Sequence, residues 1–223
     1  MLDKNQQAIA SMQEGDYETS AKLFHAFIEE HPHDPVGYTN FGNLLMHIND
    51  LTRAQRFFEK AISLDKYAAT AYYGLGNLYF EQSIYNKAQE NFQKAIELGA
   101  EVADVYYMLG LTLQKCEQFK LALPYLLRAT ELDPDDDELL FQYGLALAQS
   151  DHITEAEPVF KRVLSHNPEH SDAHYNLGII DLYDDKPKNA QTHFNEALRI
   201  QPDHLLAANG KKKVDELMKH NEG

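Results

Sequence analysis

Five glycines stand 34 residues apart: Gly42, Gly76, Gly110, Gly144 and Gly178. Three further ladders keep the same step. One is Ala54, Ala88, Ala122, Ala156 and Ala190; the next is Phe58, Phe92, Leu126, Phe160 and Phe194; the last is Ala61, Ala95, Ala129, Val163 and Ala197. Chance does not hold four ladders in phase over five copies. A period of this length means stacked copies of one small supersecondary unit, each burying its apolar face against its neighbours.

With each glycine at position 8 of its repeat, the phase runs back to residue 1, where Ala8 replaces the glycine and Ser20 the alanine. Six repeats follow: 1–34, 35–68, 69–102, 103–136, 137–170 and 171–202, with a capping helix and tail over 203–223. Inside the third repeat, Tyr72, Leu75 and Tyr79 recur at helical spacing; after a break at Ser83–Asn86, so do Ala88, Phe92, Ala95 and Ile96. Each repeat therefore reads as a helical hairpin, and no alternating strand pattern interrupts the series. Glycine inside a helix costs about 1 kcal/mol against alanine. Close approach of the partner helix offsets that cost, with position 8 expected to face the small residues at positions 20 and 27. A phosphate-cradling loop is excluded, because it needs glycine between a strand and a helix. Gly74 lies off the ladder and is read as incidental.

Tyr72, Leu75, Gly76, Tyr79, Ala88, Phe92 and Ala95, followed in four repeats by a late proline (Pro32, Pro134, Pro168, Pro202), resemble the tetratricopeptide repeat (TPR) pattern. The likeness covers residues 1–202, with departures: Lys66 and Ala100 replace the late proline, and Asp181 stands where a large apolar residue is usual. The resemblance implies an all-α fold, an α-solenoid built as a right-handed superhelix of hairpins. It also implies a concave face lined by the first helix of each repeat.

On that implication the groove residues can be read by position: Asn40, Asn43, Tyr73, Asn77, Glu81, Asp104, Tyr107, Phe141, Gln142, Tyr175 and Asn176, with Lys115 the only base. Amides can pair with a peptide backbone whatever its sequence. Aromatic rings supply contact area at low entropy cost. The aromatics at position 5 either wedge between neighbouring hairpins or meet a guest, and the sequence leaves both open. The acids at the helix starts either serve the helix dipole or face a basic ligand. A TPR clamp for acidic C-termini resembles this chain only in Asn43 and Asn77; its lysine and arginine are missing.

The formal charge is −15, which opposes nucleic acid and anionic lipid and favours a basic or neutral protein segment. One cysteine, Cys116, excludes an internal disulfide and a thiolate zinc site. No signal-peptide pattern opens the chain, and no apolar run is long enough for a membrane helix. A cytoplasmic location is expected. His166, His170 and His174 invite a metal, but Pro168 puts a turn among them. The acids at 133–138 lack the glycine and ligand spacing of a calcium loop. No catalytic motif and no cofactor site appear. The expected function is that of a non-enzymatic adaptor binding a peptide segment. The alternatives are a peptide-sensing regulator and a scaffold that self-assembles as a homo-oligomer through its end repeats.

Overall fold

Aspartate does much of the work of starting helices. Asp3, Asp16, Asp34, Asp50 and Asp136 each accept a backbone N–H from the first turn that follows. The structure, a computed structural model, describes residues 3–221. The first two positions of the expected first repeat and the last two of the tail lie outside that range. Thirteen α-helices and no strand occur among the described residues.

The chain divides into two units, Met1–Glu117 and Gln118–Gly223. The N-terminal unit holds α1 (Lys4–Gln13), α2 (Tyr17–Glu30), α3 (Pro35–His47), α4 (Leu51–Leu64), α5 (Ala69–Glu81), α6 (Tyr85–Glu97) and α7 (Ala103–Lys115). Each of these helices packs on the next in sequence. In addition α1 touches α3, α3 touches α5 and α5 touches α7. The first helices of successive hairpins therefore form one continuous layer in this unit. The C-terminal unit holds α8 (Phe119–Leu132), α9 (Asp137–Gln149), α10 (Ile153–His166), α11 (Ser171–Tyr183), α12 (Pro187–Ile200) and α13 (Leu205–Asn221). Here too consecutive helices pack, and α11 reaches α13.

The ladders are the core. Phe58, Phe92, Phe160 and Phe194 are fully buried, as are the alanines of positions 20 and 27. The expectation that the glycine faces those alanines is corrected at Gly42, Gly76, Gly144 and Gly178, where the nearest side chain is the phenylalanine of the ladder. A β-carbon on Gly42 would come within 2.7 Å of the Phe58 ring, and one on Gly76 within 2.5 Å of Phe92. Gly178 stands in the same relation to Phe194. The glycine makes room for the phenylalanine of its own hairpin. Gly74 is also corrected: a β-carbon there would lie 2.3 Å from Phe58, from the side opposite in sequence to Gly42. It is a second seat for that ring and not an incidental residue. Gly210 in α13 seats Phe194 in the same way, at 2.7 Å.

In the first repeat, Ser20 replaces alanine and is fully buried; its hydroxyl donates to the Ala8 carbonyl at 2.8 Å, so the polar substitution is satisfied locally. The histidines of the 166–174 stretch have structural partners. His170 caps α11 by accepting from the Ala173 N–H, and His166 meets Asp137 at 3.0 Å. His204 repeats the cap before α13, accepting from Ala207 while its other ring nitrogen meets Asp172 at 3.1 Å.

Candidate functional site

Position 9 of the first helix in a hairpin carries Asn43 on α3 and Asn77 on α5 in the N-terminal unit. The contact between α3 and α5 brings these two amides to one open pocket of about 480 Å³. Met46, His47, Asn49, Leu51 and Glu81 complete its lining. The Asn77 carbonyl oxygen is buried and has no hydrogen-bond partner among the described residues. Such an atom costs free energy until a donor reaches it. Asn43 and Glu81 are exposed beside it.

Tyr73 lies one turn before Asn77. Its ring is tilted against Phe92 at 5.9 Å, and the side chain is half-buried. Burial raises the phenol above its ordinary value; hydrogen bonding from the Asn77 amide offsets part of that, and the Asp104 charge on α7 adds to it. Tyr73, Asn77 and Asp104 thus share one local field. Tyr107 on α7 is half-buried, and Lys115 at the end of α7 is exposed. At the other edge, the Asn40 amide donates to Asn5 of α1 at 3.0 Å, so this amide is already paired.

The expected groove residues of the C-terminal unit are differently placed. Phe141 is 8% exposed and sits in the core with Phe160, its ring also 4.6 Å from that of His170. Of the two roles left open for the position 5 aromatics, packing within the fold is the one seen around this ring. Gln142 donates to Glu138 at 2.9 Å, and Asn176 donates to the Asp172 carbonyl at 2.8 Å. Tyr175 is half-buried, with its ring against Phe194 and His204. These side chains are engaged within their own unit. Of the expected groove residues, Asn43, Asn77 and Glu81 meet in the pocket on α3 and α5.

His47 was not foreseen from the sequence. It lines the Asn43–Asn77 pocket, and its Nε2 lies 2.7 Å from the Tyr17 hydroxyl. The available signal was its place one helical turn after Asn43, the same relation that links Glu81 to Asn77.

Family models described as tetratricopeptide repeat match residues 37–67, 69–99, 103–136 and 144–204. A curated relative, the TPR repeat-containing protein YrrB of Bacillus subtilis (strain 168), is 52% identical over 40 residues. That stretch spans 18% of this chain and 19% of the relative. The crystal structure of YrrB, described as a TPR protein with an unusual peptide-binding site, is similar with a TM-score of 0.82 and 46% identity. The match covers 86% of this chain and 99% of that one. A structure of Pseudomonas aeruginosa pilF matches with a TM-score of 0.80 over 94% of this chain and 96% of its own, at 15% identity. A crystal structure of MamA has a TM-score of 0.68 at 22% identity, over 72% of this chain and 94% of its own. The last two show likeness of fold alone.

Proposed function

The chain belongs to the tetratricopeptide repeat family, and from that premise we propose that its N-terminal unit docks an extended segment of a protein partner across α3, α5 and α7. The reading is of a non-catalytic adaptor. Asn43 and Asn77 pair with backbone groups of the guest. Tyr73 and Tyr107 give it contact area. Glu81 and Asp104 bias it toward a basic or neutral sequence. The observation that carries this reading is the buried, unpartnered Asn77 oxygen in a pocket that also offers Asn43. A peptide N–H supplies the missing donor. Support also comes from YrrB, a relative of 46% identity described as having a peptide-binding site.

The test starts from peptide display against the full chain. A selected peptide is then titrated against wild type and the Asn43→Ala, Asn77→Ala double variant. The expected loss is about 10- to 100-fold in affinity, the scale of one or two unmade hydrogen bonds. Thermal stability should stay level or rise, because the variant removes an unsatisfied buried oxygen from the free protein. Selected peptides that bind the double variant as tightly as wild type would refute the assignment. Selection of predominantly acidic peptides would refute its charge component.

A further inference from the structure

The sixth repeat departs from the others at three positions that meet in space. Position 11 holds Leu45, Tyr79, Leu113 and Leu147 in repeats two to five, all buried; in the sixth it holds Asp181. Position 4 holds tyrosine or leucine in those repeats and His174 in the sixth. Position 23 is Phe57 in the second repeat and His193 in the sixth. In the second repeat the position 4 and 23 rings, Tyr38 and Phe57, lie 6.0 Å apart. In the sixth the same contact joins His174 and His193 at 5.3 Å, with Nδ1 to Nδ1 at 3.1 Å.

Exchanging a large apolar side chain for Asp181 leaves a half-enclosed pocket of about 310 Å³ among α10, α11 and α12. Leu177 and Ile180 supply its apolar surface. The Asp181 side chain is 13% exposed, and its carboxylate makes no hydrogen bond among the described residues; the nearest base, His193 Nε2, is 3.8 Å away. Other cations at the pocket are committed elsewhere. Lys161 is held by Glu157 at 2.6 Å, and Lys186 by Asp184 at 2.7 Å. His193 is occupied at Nδ1 by His174. Burial holds the Asp181 carboxyl above its ordinary range and the His193 imidazole below its own. The pocket thus keeps one deeply seated acid whose nearest base, His193, stands beyond hydrogen-bond reach, beside the acceptor groups of Glu157 and Asn189.

We propose that this pocket is a receptor for a single primary ammonium group on an alkyl stem, as a lysine side chain of a partner protein presents it. Asp181 supplies the charge. The Glu157 carboxylate and the Asn189 amide oxygen are the further acceptors for a group with three N–H donors. Leu177 and Ile180 receive the stem. The site lies in the C-terminal unit and shares no residue with the Asn43–Asn77 pocket, so it stands or falls independently of the peptide-docking reading.

The probe is n-butylammonium chloride, added to the full chain while the His174 and His193 imidazole resonances are followed by NMR. Tetramethylammonium chloride, which has charge but no N–H, serves as the control at matched ionic strength. Saturable millimolar binding is expected for butylammonium alone, weakened about tenfold in Asp181→Asn, which keeps the shape and removes the charge. Asp181→Leu, which restores the side chain of the other repeats, should abolish binding and raise the thermal midpoint. Equal shifts with both salts, or unchanged binding in Asp181→Asn, would overturn the proposal. The isosteric asparagine variant keeps the test decisive if the leucine variant fails to fold. No saturable response in wild type would mean that Lys161 or Lys186 already fills the role, and would overturn it equally.

Discussion

The turn inside each hairpin passes through one residue with positive φ: Gly15 at 81°, Asn49 at 60°, Ser83 at 59°, Glu117 at 58°, Asp151 at 68° and Asp185 at 58°. All six occupy position 15. Left-handed backbone costs an ordinary L-residue roughly 1–2 kcal/mol, and asparagine and aspartate bear it better than serine or glutamate. Ser83→Gly should therefore stabilise the N-terminal unit by about 0.5–1 kcal/mol, after glycine's greater unfolded-state entropy is subtracted. Urea denaturation measures it, and a lower midpoint would contradict the strain argument. A second residue-scale effect belongs to His193. Its folded value lies below the ordinary 6.5, chiefly because it is buried, next because His174 is beside it. Asp181 and Glu196 pull the other way, and Lys161 reinforces the depression. The unfolded chain then takes the proton first. Stability from this group is present above 6.5 and is lost as pH falls below it. Across about pH 7 to 5 the C-terminal unit should weaken, and His193→Gln should flatten that slope. Asp181, with its folded value raised by burial, has the opposite sign: stability is regained as it takes a proton. Denaturation midpoints at a series of pH values separate the two.

At the scale of elements, the hairpin is built around one phenylalanine and the glycines that let a neighbouring helix approach it. Phe58 is seated by Gly42 of α3 and by Gly74 of α5, so its ring has no free side to retreat to. Gly74→Ala gains about 1 kcal/mol of helix propensity but forces a contact of 2.3 Å. The net expectation is a loss of about 2 kcal/mol. Gly144 is looser, with its would-be β-carbon 3.0 Å from Phe160. Gly144→Ala should stay within about 1 kcal/mol of wild type, since propensity and crowding nearly cancel. Chemical denaturation of both variants tests the ranking, and equal effects would argue against the double-seat geometry. Helix positions were readable from the 34-residue period because amphipathic spacing is local. The seat itself is not legible in the period. A ladder reveals that a small residue is required, but not which neighbour requires it. Gly74 escaped notice because its partner lies in the preceding repeat, where no in-register glycine signals the contact. Pro124 and Pro158 stand inside helices, α8 and α10, which continue through them because packing outweighs the local penalty.

For the whole chain, the governing quantity is the formal charge of −15. Like charges repel in the folded state, and salt screens them within about 8 Å at physiological strength. Raising sodium chloride to roughly 0.5 M should lift the thermal midpoint and at the same time weaken any basic peptide bound at α3, α5 and α7. A midpoint that falls with salt would mean that attractive ion pairs dominate over net repulsion. No helix among the described residues is long and apolar enough to cross a membrane.

The amino-acid order alone determined the repeat, the hairpin, the ladders that form the core and the helix bearing each candidate contact. All of these follow from spacing along the chain. Only the tertiary structure decided which candidate side chains are exposed and which are engaged within the fold. Phe141 and Tyr73 occupy the same position of their repeats, yet Phe141 is closed into the core beside His170 while Tyr73 stays half-buried near Asp104. Asn40 and Asn176 are likewise equivalent, yet one amide donates to Asn5 of a neighbouring hairpin and the other to the Asp172 carbonyl of its own helix. Exposure and hydrogen-bond satisfaction are set by neighbours contributed from distant turns and helices. Periodicity specifies where a side chain is attached; what surrounds it is fixed when the helices pack.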